Sequence, residues 1–207
     1  MDVRSIGNAF RQPDTGLCLL FGALLGLLAK YLDTVAVDGS WQTAALHHLA
    51  DLFTRPGVWV LFAILIAANG KTMARSAICT FLFFAGMLVS YYAYSAWLFG
   101  FFPLKYFLFW GAAALLSPAA AAVVWLAKNN ERLAWFLPAL PAGLLLDMAI
   151  GFQIHGGFRI WLVYAEELVM YAAACAVFYR NPRQLAISAL LSVPVAFLLD
   201  YFAPYHF

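Results

Sequence analysis

Charge is scarce in this 207-residue chain: 12 Lys and Arg with 10 Asp and Glu make up 11% of it, while 65% is hydrophobic. Soluble domains carry ~25% charged and ~45–50% apolar residues, so these charges cannot build a water-facing surface over that much apolar side chain. A soluble enzyme, a nucleic-acid binder and a disordered segment are excluded. Cysteine is nearly missing as well. Cys18, Cys79 and Cys175 have no paired spacing and read as small core residues, not as a disulfide framework or metal ligands. No GxSxG, HExxH or nucleotide-binding motif occurs, and no internal repeat. The one biased stretch, residues 119–122 after Pro118, reads as a close-packing helix surface.

Long apolar runs take the place of charge. At ~20 residues per transmembrane helix, the length admits at most about eight spans and no further soluble domain, so residues 1–207 are expected to form a single integral membrane domain. The runs predict helices over 17–37, 56–68, 73–97, 104–127, 133–154, 158–179 and 185–202. Turn formers separate them at Asn69-Gly70, Gly100 to Pro103, Asn129-Asn130, Gly156-Gly157 and Asn181-Pro182. The second run is short, and if it is re-entrant six spans remain. The expected fold is an all-α polytopic membrane protein, a bundle of about seven helices.

With the N-terminus in the cytoplasm, Arg4, Arg11, Lys71, Arg75, Lys128, Arg132, Arg180 and Arg183 fall inside and only Arg55, Lys105 and Arg159 outside. That asymmetry follows the positive-inside rule. It predicts a multi-pass inner (plasma) membrane protein with its N-terminus inside and its C-terminus outside. Residues 17–29 follow two arginines, as the core of a secretory signal does. Thr34-Val35-Ala36 is a poor cleavage site, so this run is expected to stay as an anchor. Rhodopsins also have seven helices, but with the opposite orientation and a retinal-bearing lysine that the last run here lacks.

Ionisable groups inside a membrane cost ~2.5–3.5 kcal/mol each. Asp147, Glu166, Glu167 and Asp200 fall within predicted spans, with Lys30 and Asp33 at the end of the first. Four carboxylates imply ~10 kcal/mol of insertion penalty, and all lie in the middle or outer part of their spans. This predicts a polar cavity that opens outward. Tyr91, Tyr94 and Ser95 share a stripe at i, i+3, i+4, close to Trp97, and Tyr164, Glu167 and Tyr171 align at i, i+3, i+7. Glu166 points ~100° from Glu167, which favours Glu167. The expected ligand-binding set is Glu167, Glu166, Asp147, Tyr91, Tyr94, Tyr164, Trp97 and Tyr171. Interfacial anchoring is the plainer account of the aromatic residues, as is snorkelling for Asp200 and Lys30. Pro138, Pro141 and Gly143 before Asp147, and Pro194 before Asp200, mark either cavity-facing breaks or packing kinks.

His47, His48, His155 and His206 are all expected outside. His47 and Asp51 stand at i, i+4 with Asp33 and Asp38 nearby, but no HExxH or Cys/His set accompanies them. No metal and no cofactor is expected. Residues 41–53 read as an amphipathic cap on the outer side.

Glu166-Glu167 resembles half of the EExxxR motif of intramembrane CAAX-type proteases. Tyr171 stands where that motif requires arginine, and Phe202 to His206 has the partner FxxxH spacing with no third motif after it. An enzyme is the minority reading. A broader resemblance is to the substrate-binding (S) components of ECF-type vitamin transporters. It rests on a small hydrophobic chain, an inward N-terminus, an outward pocket and the small-xxx-small pair Gly22 and Gly26. That resemblance implies capture of a small molecule from outside, with Gly22 and Gly26 docking a membrane partner subunit. Excess carboxylate makes the expected ligand cationic or donor-rich, and aromatic side chains would suit a heterocycle. Two alternatives stay open: a proton- or cation-coupled transporter or channel, and a scaffold or assembly protein.

Overall fold

The computed structural model describes residues 14–36, 38–153 and 159–202. Arg4, Arg11, Val37, Ile154, His155, Gly156, Gly157 and His206, named above, lie outside these. The helices are α1 (Thr15–Leu32), α2 (Trp41–Thr54), α3 (Pro56–Ala68), α4 (Met73–Phe99), α5 (Leu104–Asn129), α6 (Ala139–Ala149), α7 (Ala165–Phe178) and α8 (Pro182–Phe202). Strands β1 (Ile150–Gln153) and β2 (Arg159–Leu162) pair antiparallel between α6 and α7. The chain is thus predominantly helical, with one small hairpin among the described residues.

Helices α1, α4, α5 and α8 are long and apolar enough to cross a membrane, and α2 with α3 makes a fifth if the bent pair is one broken span. Of the two remaining helices, α6 has 11 residues and α7 has 14, short of the ~20 a span needs. By length and composition the described residues therefore supply four or five spans, against the seven expected.

The shortfall has a local cause. The predicted helix over 133–154 begins as a 3₁₀ turn at Leu133–Trp135, becomes α-helical only after Pro138, and gives way to strand at Ile150. The predicted helix over 158–179 starts as strand β2 and turns helical only at Ala165. Ile150, Phe152, Ile160 and Trp161 are β-branched or aromatic and suit a pleated ribbon. Gly151 admits its cross-strand partner Trp161, whose ring lies 2.5 Å from where a Cβ would stand.

The described residues cluster into two compact units. The first holds residues up to Pro56 together with Asn69–Ala122, and the second holds Gly57–Ala68 with the residues from Val123 onward. In the first unit α1 lies directly on α4. A Cβ on Gly22 would stand 1.9 Å from the Phe83 carbonyl oxygen, one on Gly26 2.4 Å from that of Met87, and one on Gly86 2.3 Å from that of Leu19. Backbones this close require glycine on both helices. Gly22 and Gly26 are therefore consumed inside the chain, which corrects the expectation that they dock a partner subunit. The thiols of Cys18 and Cys79 also meet across this seam. Ahead of α4, α2 is capped by Ser40, whose hydroxyl accepts from the Thr43 amide at 3.3 Å.

The second unit is built around α6, in which nine of eleven residues are buried. A short helix buried on nearly every side, apolar but for Asp147, is a core helix, not a surface one. It packs on α7 and α8, and Leu146, Phe152 and Ala196 form a core cluster with Tyr171 and Phe197 against it. At one end the Lys128 ammonium donates to the Val177 carbonyl in the last turn of α7, and the Arg180 guanidinium donates to the Lys128 carbonyl at the end of α5. Each cation thus satisfies an orphan carbonyl at a helix C-terminus, where positive charge is favoured.

Candidate functional site

Two carboxylates are completely buried, Asp147 and Glu167, and both belong to the second unit. Their helical positions differ in a way that decides their energetics. Glu167 is the third residue of α7, in its first turn, where the exposed amides favour negative charge. Its carboxyl also rests on the first turn of α3: a Cβ on Gly57 would stand 1.6 Å from Glu167 Oε2 and 2.8 Å from Oε1. Two positive helix ends therefore converge on Glu167, each worth ~0.3–1 kcal/mol and up to ~2 kcal/mol when partly buried.

Asp147 occupies the opposite situation. It lies in the last turn of α6, at the negative end of the helix dipole, and that dipole disfavours its charge. Gly143, one turn earlier, would place a Cβ 3.0 Å from the Ser192 carbonyl of α8, so the α6 face carrying Asp147 is pressed against α8.

Ser192 belongs to a polar stripe that the hydropathy reading passed over. Gln184, Ser188 and Ser192 recur at i, i+4, i+8 on α8 and are all buried. The Gln184 amide donates to the Ala134 carbonyl at 2.8 Å and to Ser188 Oγ at 3.1 Å, and Ser188 donates to the Trp135 carbonyl at 3.4 Å. Ser192 gives its proton to the Ala189 carbonyl at 2.7 Å, so at the 3.1 Å contact the Tyr171 hydroxyl is the donor. Tyr171 is one turn from Glu167 on α7. Every buried polar side chain among the described residues of the second unit thus falls on α8 or is one of the two acids. The i, i+4, i+8 spacing was the available signal, but three small uncharged polar groups hardly dent a hydropathy average.

The predicted site residues divide between the two units. Tyr91, Tyr94 and Trp97 lie on α4 in the first, and Asp147, Tyr164, Glu166, Glu167 and Tyr171 lie in the second. Tyr164 is the extended residue preceding α7, so the predicted helical stripe of Tyr164, Glu167 and Tyr171 reduces to Glu167 and Tyr171. Glu166 is half-buried. In the first unit the Tyr91 hydroxyl donates to Asp33 Oδ2 at 2.6 Å. Lys30, itself buried, holds the same oxygen at 3.4 Å and sits 5.0 Å from the ring centres of both Tyr91 and Phe99. Tyr94 stacks on Trp97 at 5.7 Å, and Trp97 is widely exposed, as an interfacial anchor is. His47 and Asp51 stand 4.0 Å apart on the exposed face of α2.

Apolar spans together with buried carboxylates define the class, a multi-pass helical membrane protein. The chain belongs to a family of unknown function, DUF6518, whose sequence pattern matches residues 11–205. No curated protein and no solved structure matches it.

Proposed function

We propose that this chain is a membrane-embedded binding or uptake protein for a small cationic or donor-rich molecule, with Asp147 as the primary anchor. One observation carries the reading. Asp147 is a fully buried carboxylate at the end of a helix whose dipole opposes it. A group so placed gains most from a positive ligand, and ionisable residues at membrane depth are functional by default. Glu167 and Tyr171 are the neighbouring polar groups of the same unit, and Glu166 and Tyr164 complete the proposed set there, while Tyr91, Tyr94 and Trp97 belong to the first unit. The S components of ECF-type transporters offer a functional analogy, and no residue here is assigned a catalytic role.

The proposed orientation puts the N-terminus in the cytoplasm of an inner membrane. Its support is that Lys128, Arg132, Arg180 and Arg183 flank one end of the second unit, where hydrogen bonds tie Lys128, Arg180 and Gln184 together. Arg159 lies on the hairpin that precedes α7.

The experiment is a thermal-shift screen of detergent-purified protein against polyamines, vitamins and metal ions, run beside Asp147→Asn. A compound present at 100 times its dissociation constant stabilises the native state by ~2.7 kcal/mol. The reading requires one that stabilises the wild type and not the variant. If every compound acts on both alike, Asp147 is not the anchor.

A further inference from the structure

We propose that Glu167 is a latch that docks the half-span α3 into the second unit, with Gly57 as its keeper. The helix pair α2 and α3 is broken at Arg55 and bent there. On the near side of the break the chain belongs to the first unit, and from Gly57 to Ala68 it belongs to the second. Something in the second unit must hold this excursion. Helix α3 has only 13 residues, and its flanking Arg55 carries no side-chain acceptor that could serve its first amides. Pro56 is suited to an opening turn, because its missing N–H is one no helix would use.

At that turn the Glu167 carboxyl fills the space where a side chain at position 57 would sit, with Oε2 1.6 Å, Cδ 2.5 Å and Oε1 2.8 Å from the ideal Cβ. Gly57 and Glu167 are both buried. Gly57 has an ordinary negative φ, so the conformation does not demand glycine; the carboxyl does. The contact is therefore a fitted pair, and it brings an anionic group to the positive end of a short helix. Neutralising or engaging that carboxyl removes the charge that favours α3 where it lies. On the uptake reading above, on which this last step rests, a cationic solute that binds beside Glu167 loosens α3, so that occupancy is converted into movement of a broken span. In many transporters discontinuous helices form the substrate and ion sites.

The test is a double-mutant cycle in the full-length protein, with hydrogen–deuterium exchange followed on peptides covering Gly57 to Ala68. Gly57→Ala is expected to lower Tm by at least about 4 °C in the wild-type background, since overpacking of this kind must displace Glu167 or the helix. In the Glu167→Ala background the same substitution leaves Tm unchanged. Exchange across α3 rises at least tenfold in Glu167→Ala and in Gly57→Ala, while peptides of α1 and α4 keep wild-type protection. If Glu167→Ala does not fold, Glu167→Gln retains the shape without the charge, and raised exchange confined to α3 supports the latch equally. Equal cost of Gly57→Ala in both backgrounds, or unchanged α3 exchange in the Glu167 variants, overturns the proposal. Spermidine added to the wild type separates the two readings. With the cycle intact, raised α3 exchange supports the coupling, and no response to spermidine overturns the coupling while leaving the latch in place.

Discussion

The two units bury ionisable groups by different means. In the first, the buried cation is answered within its own neighbourhood: Lys30 has Asp33 three residues away and two aromatic faces around it. Ser117, one of its buried hydroxyls, bonds the carbonyl of Ala114 in its own helix. In the second, Glu167 is eased by two helix ends, Asp147 sits where its helix opposes it, and α8 carries a run of bonded polar groups. The buried cation of the first unit is thus paired three residues away, with Tyr91 reaching the same carboxylate from α4. The second unit places a buried carboxyl, Asp147, at the helix end that disfavours its charge.

The sharpest way to break this contrast is at the α1–α4 seam. Gly22→Ala places a methyl 1.9 Å from a backbone oxygen and should cost about 3 kcal/mol, because two helices must separate. Gly16→Ala meets nothing within 4 Å and should be neutral or slightly stabilising. Thermal unfolding of the two variants side by side decides whether close backbone approach holds the first unit.

Next in size is the pair of acids. Asp147→Asn takes a carboxyl away from a helix end that disfavours its charge and should raise stability by about 1 kcal/mol while removing any response to cationic compounds. Glu167→Gln loses charge–dipole contact and should fall by about 1 kcal/mol. If calorimetry finds the same sign for both, helix ends do not distinguish these carboxylates.

A smaller effect is expected on α8. Gln184→Leu forfeits the bonds to Ala134 and Ser188 and should cost about 1–2 kcal/mol with the Ala134 carbonyl left buried. Ser117→Ala in the first unit loses one bond within its helix and should cost under about 0.5 kcal/mol. Denaturation in graded detergent mixtures can rank them.

The smallest effect belongs to the loop before α2. Asp38 accepts from the Thr43 hydroxyl at 2.7 Å and the Ser40 amide at 2.9 Å. These bonds, Thr43 first, hold its carboxyl at about 2, below the ordinary 3.8. A depressed carboxylate contributes stability that is present above its unfolded value and lost as pH falls through the folded one. The stability difference between wild type and Asp38→Asn should be constant above about pH 5 and shrink between 3.8 and about 2. A difference that grows on acidification would reverse the assignment.

Much of the fold is legible in the amino-acid sequence, for a physical reason. Long apolar runs give α4, α5 and α8 to within three residues at each end, and α1 to within five, because span length is set by the bilayer. The runs ending at Ile154 and starting at Phe158 mislead because a buried strand and a buried helix are equally apolar. Ile150 and Ile160, β-branched on either side of Gly156-Gly157, were the discriminating signal. Glu166 and Glu167, acidic side chains near one another, marked the start of α7 rather than its middle, as acids in a first turn do. The burial of Asp147 and Glu167 was inferable from cost alone. The contact of Glu167 with Gly57 was not, because helix order along the chain says nothing about which turn meets which.

The shortness of α6 has a consequence for biosynthesis. Eleven residues make a helix ~16 Å long, about half the ~30 Å hydrocarbon thickness, and this one carries Asp147. A segment of that length and polarity cannot be held in the bilayer on its own as it leaves the ribosome. Its packing partner α8, nearly at the far end of the chain, has not yet been made at that point. The second unit must therefore assemble late, after α8 is synthesised, so truncations that remove α8 should leave the segment carrying Asp147 accessible to quality-control proteases.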